Sequence, residues 1–252
     1  LSIIALPLNR ETIKIMKFVK SKKYLKKITE SNVYDVAIST PLSPASFLSR
    51  EIGNNVLLKR EDLQPIFSFK LRGAYNKISL LRKKKEIDEV VTASAGNHAQ
   101  GVAFASKKLK LKATIVMPVT SPTIKVRAVK NLGAKVVLRG DTYDEAYKYA
   151  ITLSKKPKVA FVHPYDDPDV IAGQGTIGKE ILDDFSEKIE AIFVPVGGGG
   201  LLAGIGAYVK SIRPEIKMVG VEPEDAAGLQ AAIKANRRVS LKEVGLFVDG
   251  VA

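Results

Sequence analysis

Ser68-Phe69-Lys70-Leu71-Arg72-Gly73-Ala74 is the stretch from which the rest of the chain can be read. Phe67 and Phe69 flank Lys70, and the small pair Gly73-Ala74 follows it. A lysine set among aromatic rings is partly desolvated. Desolvation disfavours the ammonium, so its pKa falls. A neutral amine at working pH is a nucleophile that can form a Schiff base with a carbonyl. The plainer alternative is a lysine opening an amphipathic helix, with its stem packed and its head in water. Small residues after the lysine leave room for something to approach the backbone. Two further loops decide between these readings.

Outward from Lys70, strand-like and helix-like segments alternate. Val56-Leu57-Leu58 reads as a short strand, and a helix is expected over 69–83. Further strands are expected at 89–92, 113–117, 136–138, 159–162, 192–196 and 217–221. The expected helices between and after them cover 98–107, 121–133, 143–154, 169–185, 200–211 and 225–235. Pro122 suits a first helical turn, Gly133 a helix end, and Asp141 or Thr142 an N-cap. Short, continuously apolar, β-branched strands between helices indicate a mainly parallel sheet covered on both faces. Ligands in such sheets bind at the carboxyl ends of the strands, where the strand-to-helix loops lie. A basic amphipathic helix is expected over 11–29, with Ile13, Met16, Val19 and either Tyr24 or Leu25 inward.

The two deciding loops sit at such ends. Ser94-Ala95-Gly96-Asn97-His98 follows one strand, and Gly197-Gly198-Gly199-Gly200-Leu201 follows another. Each puts backbone N–H groups at a helix N-terminus, which receives anions through unpaired donors and the helix dipole. Successive glycines permit positive φ and close backbone approach, which suits a phosphate. The small residues of the first loop suit a carboxylate. His98 reads as a core histidine rather than a base. The glycine run does not complete G-x-G-x-x-G, so a dinucleotide site is weakly supported. Gly173 to Lys179 resembles a phosphate-binding P-loop, but Glu180 stands where Ser or Thr should hold Mg²⁺. Gly173-Gln174-Gly175 is instead expected to pack a helix start closely on the sheet. A Schiff-base lysine, a phosphate cup, a carboxylate cup and Asn97 together suit a phosphate-bearing aldehyde cofactor acting on an amino acid. Pyridoxal 5′-phosphate meets that description, because its imine acts as an electron sink.

Composition narrows the alternatives. The 252 residues include no cysteine and two histidines, His98 and His163, which excludes disulfides, thiolate metal sites and cysteine nucleophiles. The net charge of +14 raises a nucleic-acid reading, but residues 1–30 alone carry eight basic and two acidic side chains. The remaining charge is scattered, aromatics are 7%, and no aromatic–basic interleaving marks a stacking platform. No apolar run approaches the ~18 residues of a membrane span. A cytoplasmic protein without nucleic-acid or membrane partners is expected.

The chain resembles the threonine dehydratases of the biosynthetic type, within the fold type II (tryptophan synthase beta-like) pyridoxal-phosphate enzymes. The resemblance is carried by Leu58-Lys59-Arg60-Glu61-Asp62-Leu63-Gln64-Pro65, by the Lys70 stretch, and by Thr92 to Ala103. Ile171-Ala172-Gly173-Gln174-Gly175-Thr176, Val194 to Leu201 and Gly245 to Ala252 complete it. It implies an α/β fold of two parallel-sheet lobes with helices on both faces: residues 1–59 in the large lobe, 60–165 in the small lobe, and 166–252 back in the large lobe. It implies that Lys70 holds the cofactor by an imine, with Phe69 beside the ring and Asn97 bonded to the 3′-oxygen. Gly197, Gly198, Gly199, Gly200 and Leu201 would cradle the phosphate, and Gly250 would lie on the cofactor's other side. Ser94, Ala95, Gly96, Asn97 and His98 would receive the substrate carboxylate.

The implied reaction converts L-threonine to 2-oxobutanoate and ammonia, with L-serine to pyruvate beside it. Serine racemase and the catabolic serine/threonine dehydratases share Lys70, Asn97 and the glycine cup. The Glu61–Pro65 and Gly245–Ala252 stretches favour the biosynthetic type. Family members continue beyond the position of Ala252, with a Ser or Cys partner to the pyridine nitrogen and a regulatory domain that binds isoleucine. The chain therefore reads as a C-terminally truncated catalytic domain, expected to form homo-oligomers, dimers or tetramers, when complete. An inactive remnant or binding module is the reading from a different class.

Overall fold

A computed structural model describes residues 3–7, 21–84, 87–241, 243–245, 248 and 250. In chain order its strands and helices are β1 (Ile3–Pro7), α1 (Ser21–Thr29), β2 (Leu42–Pro44), α2 (Ser46–Ile52), β3 (Leu57–Lys59) and α3 (Lys70–Lys83). There follow β4 (Glu89–Ala93), α4 (Asn97–Lys108), β5 (Lys112–Met117), α5 (Thr123–Asn131), β6 (Lys135–Leu138) and α6 (Tyr143–Leu153). The last are β7 (Val159–Phe161), α7 (Pro168–Asp184), β8 (Ala191–Pro195), α8 (Gly200–Ile212), β9 (Lys217–Pro223) and α9 (Gly228–Ala235). From β4 onward each expected strand and helix is present within a few residues of its expected ends.

The chain divides into two compact units. One holds residues 32–162 and 180–186, and the other holds 1–31, 163–179 and 187–252. Residues 32–59, set with the large lobe in the sequence reading, pack in the same compact unit as 60–162. Gln64 ties them there: its Nε2 donates to the Ile38 carbonyl at 2.8 Å and its Oε1 accepts from the Ile38 N–H at 3.1 Å.

The 32–162 unit is built on a four-stranded parallel sheet of order β6-β5-β4-β7. Val90, Val91, Ala93, Ile115 and Val116 are buried in its two central strands, the pattern of a sheet covered on both faces. Ala146 and Ala150 of α6 pack on Val91, Ala93 and Val116, with Tyr147 and Phe161 edge to face at 5.3 Å. The start of α6 is fixed by a capping box: Thr142 Oγ1 accepts from Glu145 N–H and the Glu145 carboxylate accepts from Thr142 N–H. From β4 the chain winds outward through β5 and β6, then returns to β7 on the other side of β4. The 94–98 loop thus leaves the strand at which the winding reverses, the expected place for a ligand. The strand at β3 was expected in the parallel array. It pairs antiparallel with β2 in a separate two-stranded sheet.

The other unit carries a three-stranded sheet of order β1-β9-β8. β8 and β9 are parallel, and β1 runs antiparallel to β9 from Ile3 opposite Pro223 to Pro7 opposite Val219. The glycines of α7 pack against other helices rather than against the sheet expected for 173–175. A Cβ at Gly175 would stand 2.6 Å from Ile28 Cδ1 of α1 and 2.9 Å from the Gly204 carbonyl of α8. Of the helix expected over 11–29, residues 21–29 are helical and the portion up to residue 20 lies outside the described residues. Ile28, rather than Tyr24 or Leu25, is its buried anchor.

Candidate active site

Lys70 is the first residue of α3. The chain reaches it through a tight turn in which Phe67 N–H donates to the Gln64 carbonyl at 2.7 Å and Lys70 N–H donates to Ser68 Oγ at 3.3 Å. Burial pushes the Lys70 ammonium down from the ordinary lysine range to about 8. Its Nζ lies 5.4 Å from the centroid of Phe69, a contact that favours the charged form but does not offset burial. The neutral-amine fraction at neutral pH thereby rises by about two orders of magnitude. Phe67 plays no part in this. It is 80% exposed, with φ of 57°, so the desolvation expected from two flanking rings comes from Phe69 and the surrounding packing.

Gly73 and Ala74, expected to admit something to the backbone, are themselves buried within α3. The close approach comes earlier in the helix. A Cβ at Gly101 of α4 would stand 3.0 Å from the Lys70 carbonyl oxygen and 3.3 Å from Leu71 N. Gly101 therefore lets α4 pack directly on the backbone that carries the lysine. The helix that begins at the 94–98 loop is thus locked to the one that begins at Lys70.

The 94–98 loop is a short turn between β4 and α4. Ser94 N–H donates to the Val116 carbonyl at 3.1 Å, and Gly96 N–H donates to Ser94 Oγ at 3.2 Å. Gly96 is the N-cap, and Asn97 opens the helix with an exposed side chain. His98 is buried, its Nε2 3.1 Å from the Val162 carbonyl, which also accepts from Thr92 Oγ1 at 2.8 Å. The carbonyl can only accept, so this ring nitrogen carries the proton. That is the core role expected of His98, and any part it has in anion binding falls to its backbone N–H.

Arg72 is fully buried two residues after the lysine. Its Nη1 donates to Glu180 Oε1 at 2.5 Å and its Nη2 to Glu180 Oε2 at 3.0 Å. On the other side Nε and Nη2 each donate to Glu61 at 2.8 Å. Lys59 Nζ adds a 2.7 Å pair to Glu180. Burial alone would raise the Glu180 carboxyl, but the hydrogen bonds and charges of Arg72 and Lys59 outweigh it and hold it below the usual range. This network pins the start of α3 from two sides. It also explains why a glutamate stands where a P-loop would need Ser or Thr. Arg72 and Glu180 lie 108 positions apart, and no sequence pattern links them.

In the other unit, the glycine turn joins β8 to α8. Gly199, with φ of +80°, is the N-cap of α8 and Gly200 its first residue. A Cβ at Gly198 would fall 2.2 Å from the Tyr165 ring, and one at Gly200 would be 2.8 Å from the Tyr165 carbonyl oxygen. Side chains are thus excluded at Gly198 and Gly200 by packing and disfavoured at Gly199, between them, by φ. Gly197 and Gly198 are exposed, Gly199 and Leu201 half-buried. Gly250, also in this unit, is exposed.

The fold is that of a cofactor-binding α/β enzyme of fold type II. Each unit taken by itself carries groups that suit a part of pyridoxal phosphate: in one an amine of lowered pKa for an aldehyde, in the other backbone N–H groups in a turn cleared of side chains for a phosphate. The chain belongs to the pyridoxal-phosphate-dependent enzyme family, which it matches over residues 33–252. It is 54% identical over 235 residues to the biosynthetic L-threonine dehydratase of Burkholderia multivorans, covering 92% of this chain and 46% of the relative. It is 55% identical to threonine dehydratase 1 of Solanum lycopersicum, covering 93% of this chain and 39% of the relative. The processed form of threonine deaminase isoform 2 from Solanum lycopersicum superposes with a TM-score of 0.89 at 51% identity, over 93% of this chain and 64% of that one. A maize serine racemase superposes with a TM-score of 0.86 but at 30% identity, over 90% of this chain and 69% of that one. The chain spans less than half the length of these two dehydratases.

Proposed function

We propose that this chain is the cofactor-binding part of a threonine dehydratase that converts L-threonine to 2-oxobutanoate and ammonia, the entry to isoleucine biosynthesis. The observation that carries the proposal is Lys70: a lysine of lowered pKa at the head of α3, in a chain more than half identical to enzymes of that name.

Bound pyridoxal phosphate supplies an electron sink for the charge left when the substrate loses its α-proton. Lys70 Nζ, with its pKa lowered to about 8, would hold the cofactor and, as a free amine, would take the substrate's α-proton. The N–H groups of the 94–98 loop receive the substrate carboxylate at the N-terminus of α4. Asn97 would hydrogen-bond the cofactor's 3′-oxygen, and Phe69 would pack beside its ring. Residues 197–201 would hold a phosphate through backbone N–H groups, and Gly250 would lie beside the cofactor. L-Serine lacks one methyl group, a difference worth ~1–3 kcal/mol, so it enters as a second substrate giving pyruvate. A homo-oligomer in the cytoplasm is the proposed working form, tested by light scattering and cell fractionation. Among the described residues no helix is long and apolar enough to cross a membrane.

The test is an absorbance titration of the chain with pyridoxal phosphate, beside Lys70→Ala. A visible band that the substitution removes and L-threonine shifts is expected, with 2-oxobutanoate detected as product. A folded chain that shows no Lys70-dependent band overturns the proposal.

A further inference from the structure

The loop from β7 to α7 has no role in the function proposed above. It reads His163-Pro164-Tyr165-Asp166-Asp167, and the glycine turn is built against it. A Cβ at Gly198 would lie 2.2 Å from Cγ and Cδ1 of Tyr165 and 2.5 Å from Cδ2, so the ring lies flat against that α-carbon. A Cβ at Gly200 would meet the Tyr165 carbonyl oxygen at 2.8 Å and its Cβ at 3.0 Å. Gly199, between them, has nothing within 4 Å of where its Cβ would be. The turn is therefore filled at two alternate positions by one tyrosine and open at the glycine between.

Tyr165 is itself held. His163 Nδ1 accepts from Asp166 N–H at 2.8 Å and from Tyr165 N–H at 3.3 Å, which winds the loop around the imidazole. The His163 ring meets the Tyr165 ring edge to face at 4.7 Å and 89°. Beyond it, Asp167 Oδ1 accepts from Asp169 N–H at 2.8 Å and Val170 N–H at 3.2 Å, fixing the start of α7. The loop is anchored on both sides of the tyrosine.

We infer that Tyr165 is a positioning residue for the 197–200 turn, with His163 as its strut, and that it sets preference for a phosphate-bearing aldehyde over the same aldehyde without phosphate. The inference rests on the cofactor reading above. The ring fixes where the Gly198 backbone runs and the carbonyl side fixes Gly200. Together they determine where the N–H groups at the head of α8 point. One N–H lost from a charged phosphate oxygen weakens binding by about tenfold or more.

The experiment titrates the full chain and its Tyr165→Ala and Tyr165→Phe variants with pyridoxal 5′-phosphate and, separately, with pyridoxal, reading the absorbance of the lysine-bound aldehyde. Thermal shifts with inorganic phosphate are measured in parallel. Tyr165→Ala is expected to weaken the phosphorylated aldehyde about tenfold or more and leave pyridoxal within about twofold. Tyr165→Phe, which keeps the ring, is expected to match the parent. Equal weakening of both aldehydes shows a merely structural residue and overturns the inference, as does unchanged affinity for both. If the parent gives no Lys70-dependent band, the cofactor reading fails; a phosphate-induced thermal shift that Tyr165→Ala abolishes still upholds the role of Tyr165 at an anion-binding turn, and an unaltered or absent shift overturns it.

Discussion

Replacing Glu180 by glutamine removes one charge from the network behind Lys70 while keeping the side chain's shape. Arg72 is 0% exposed and Glu180 4%, so neither charge can turn to water when its partner is lost. Before the change two cations, Arg72 and Lys59, face the buried Glu180, with Glu61 beside Arg72 and Asp184 beside Lys59. Afterwards Glu61 remains as a counter-ion of Arg72, and Lys59 keeps the Thr40 carbonyl and the 40% exposed Asp184 at 3.3 Å. Removing one partner of a buried pair costs about 3–5 kcal/mol, whereas solvent-exposed pairs contribute about 0–1 kcal/mol. At an m-value of roughly 2 kcal/mol per M, the urea midpoint falls by about 2 M. The chain has no tryptophan, so far-UV circular dichroism is the suitable probe. The exposed pair Lys188–Glu190 supplies a control, for which Glu190→Gln is expected to shift nothing measurable. The cost should also depend on pH with a defined sign. The folded-state pKa of Glu180 lies below the ordinary glutamate value, so its contribution is complete above about pH 4.3 and disappears as pH falls through the folded value. The gap between parent and variant should therefore narrow on acidification below about pH 4. A variant within about 1 kcal/mol of the parent at pH 7 refutes the reasoning, because it would place Glu180 among surface pairs.

Three further outcomes follow from the same geometry. Lys70 should acylate with a rate that rises with pH through about 8, as site-resolved mass spectrometry of reagent labelling measures; a midpoint at the ordinary lysine value of about 10.4 refutes the desolvation argument. Gly101→Ala places a methyl 3.0 Å from the Lys70 carbonyl oxygen, so overpacking should cost about 1–3 kcal/mol in thermal or urea unfolding and weaken imine formation at Lys70. Phe67→Gly relieves a left-handed residue that is 80% exposed, and should leave stability unchanged or raise it by up to about 1 kcal/mol, since the ~1–2 kcal/mol of left-handed strain exceeds the entropy cost of glycine.

What could be read from the sequence was what depends on near neighbours. The central strands β4 and β5 stand out because burial on both faces demands unbroken apolar runs, and that demand is local. The Lys70 stretch and the two loops were legible because an amine, a row of small residues and a helix start each act through residues a few positions apart. β3 misled because Val56-Leu57-Leu58 carries the same apolar signal whether its partner is parallel or antiparallel, and only the register with Leu42–Pro44 distinguishes them. β1 is not legible in the sequence, since nothing within Ile3–Pro7 names β9 as its partner, more than 200 positions away. Phe67 shows the limit of adjacency. It lies three residues before Lys70, but a left-handed φ turns the chain there and sends the ring to solvent. Glu180 shows the reverse: as a sequence feature it only disqualified a P-loop, and in the fold it becomes a counter-ion of Arg72 behind the lysine. The four glycines are legible as permission for close approach, but the thing that approaches is Tyr165, over 30 positions earlier in the chain. A glycine's reason lies in the atom that fills its missing side chain, and that atom is supplied by the fold.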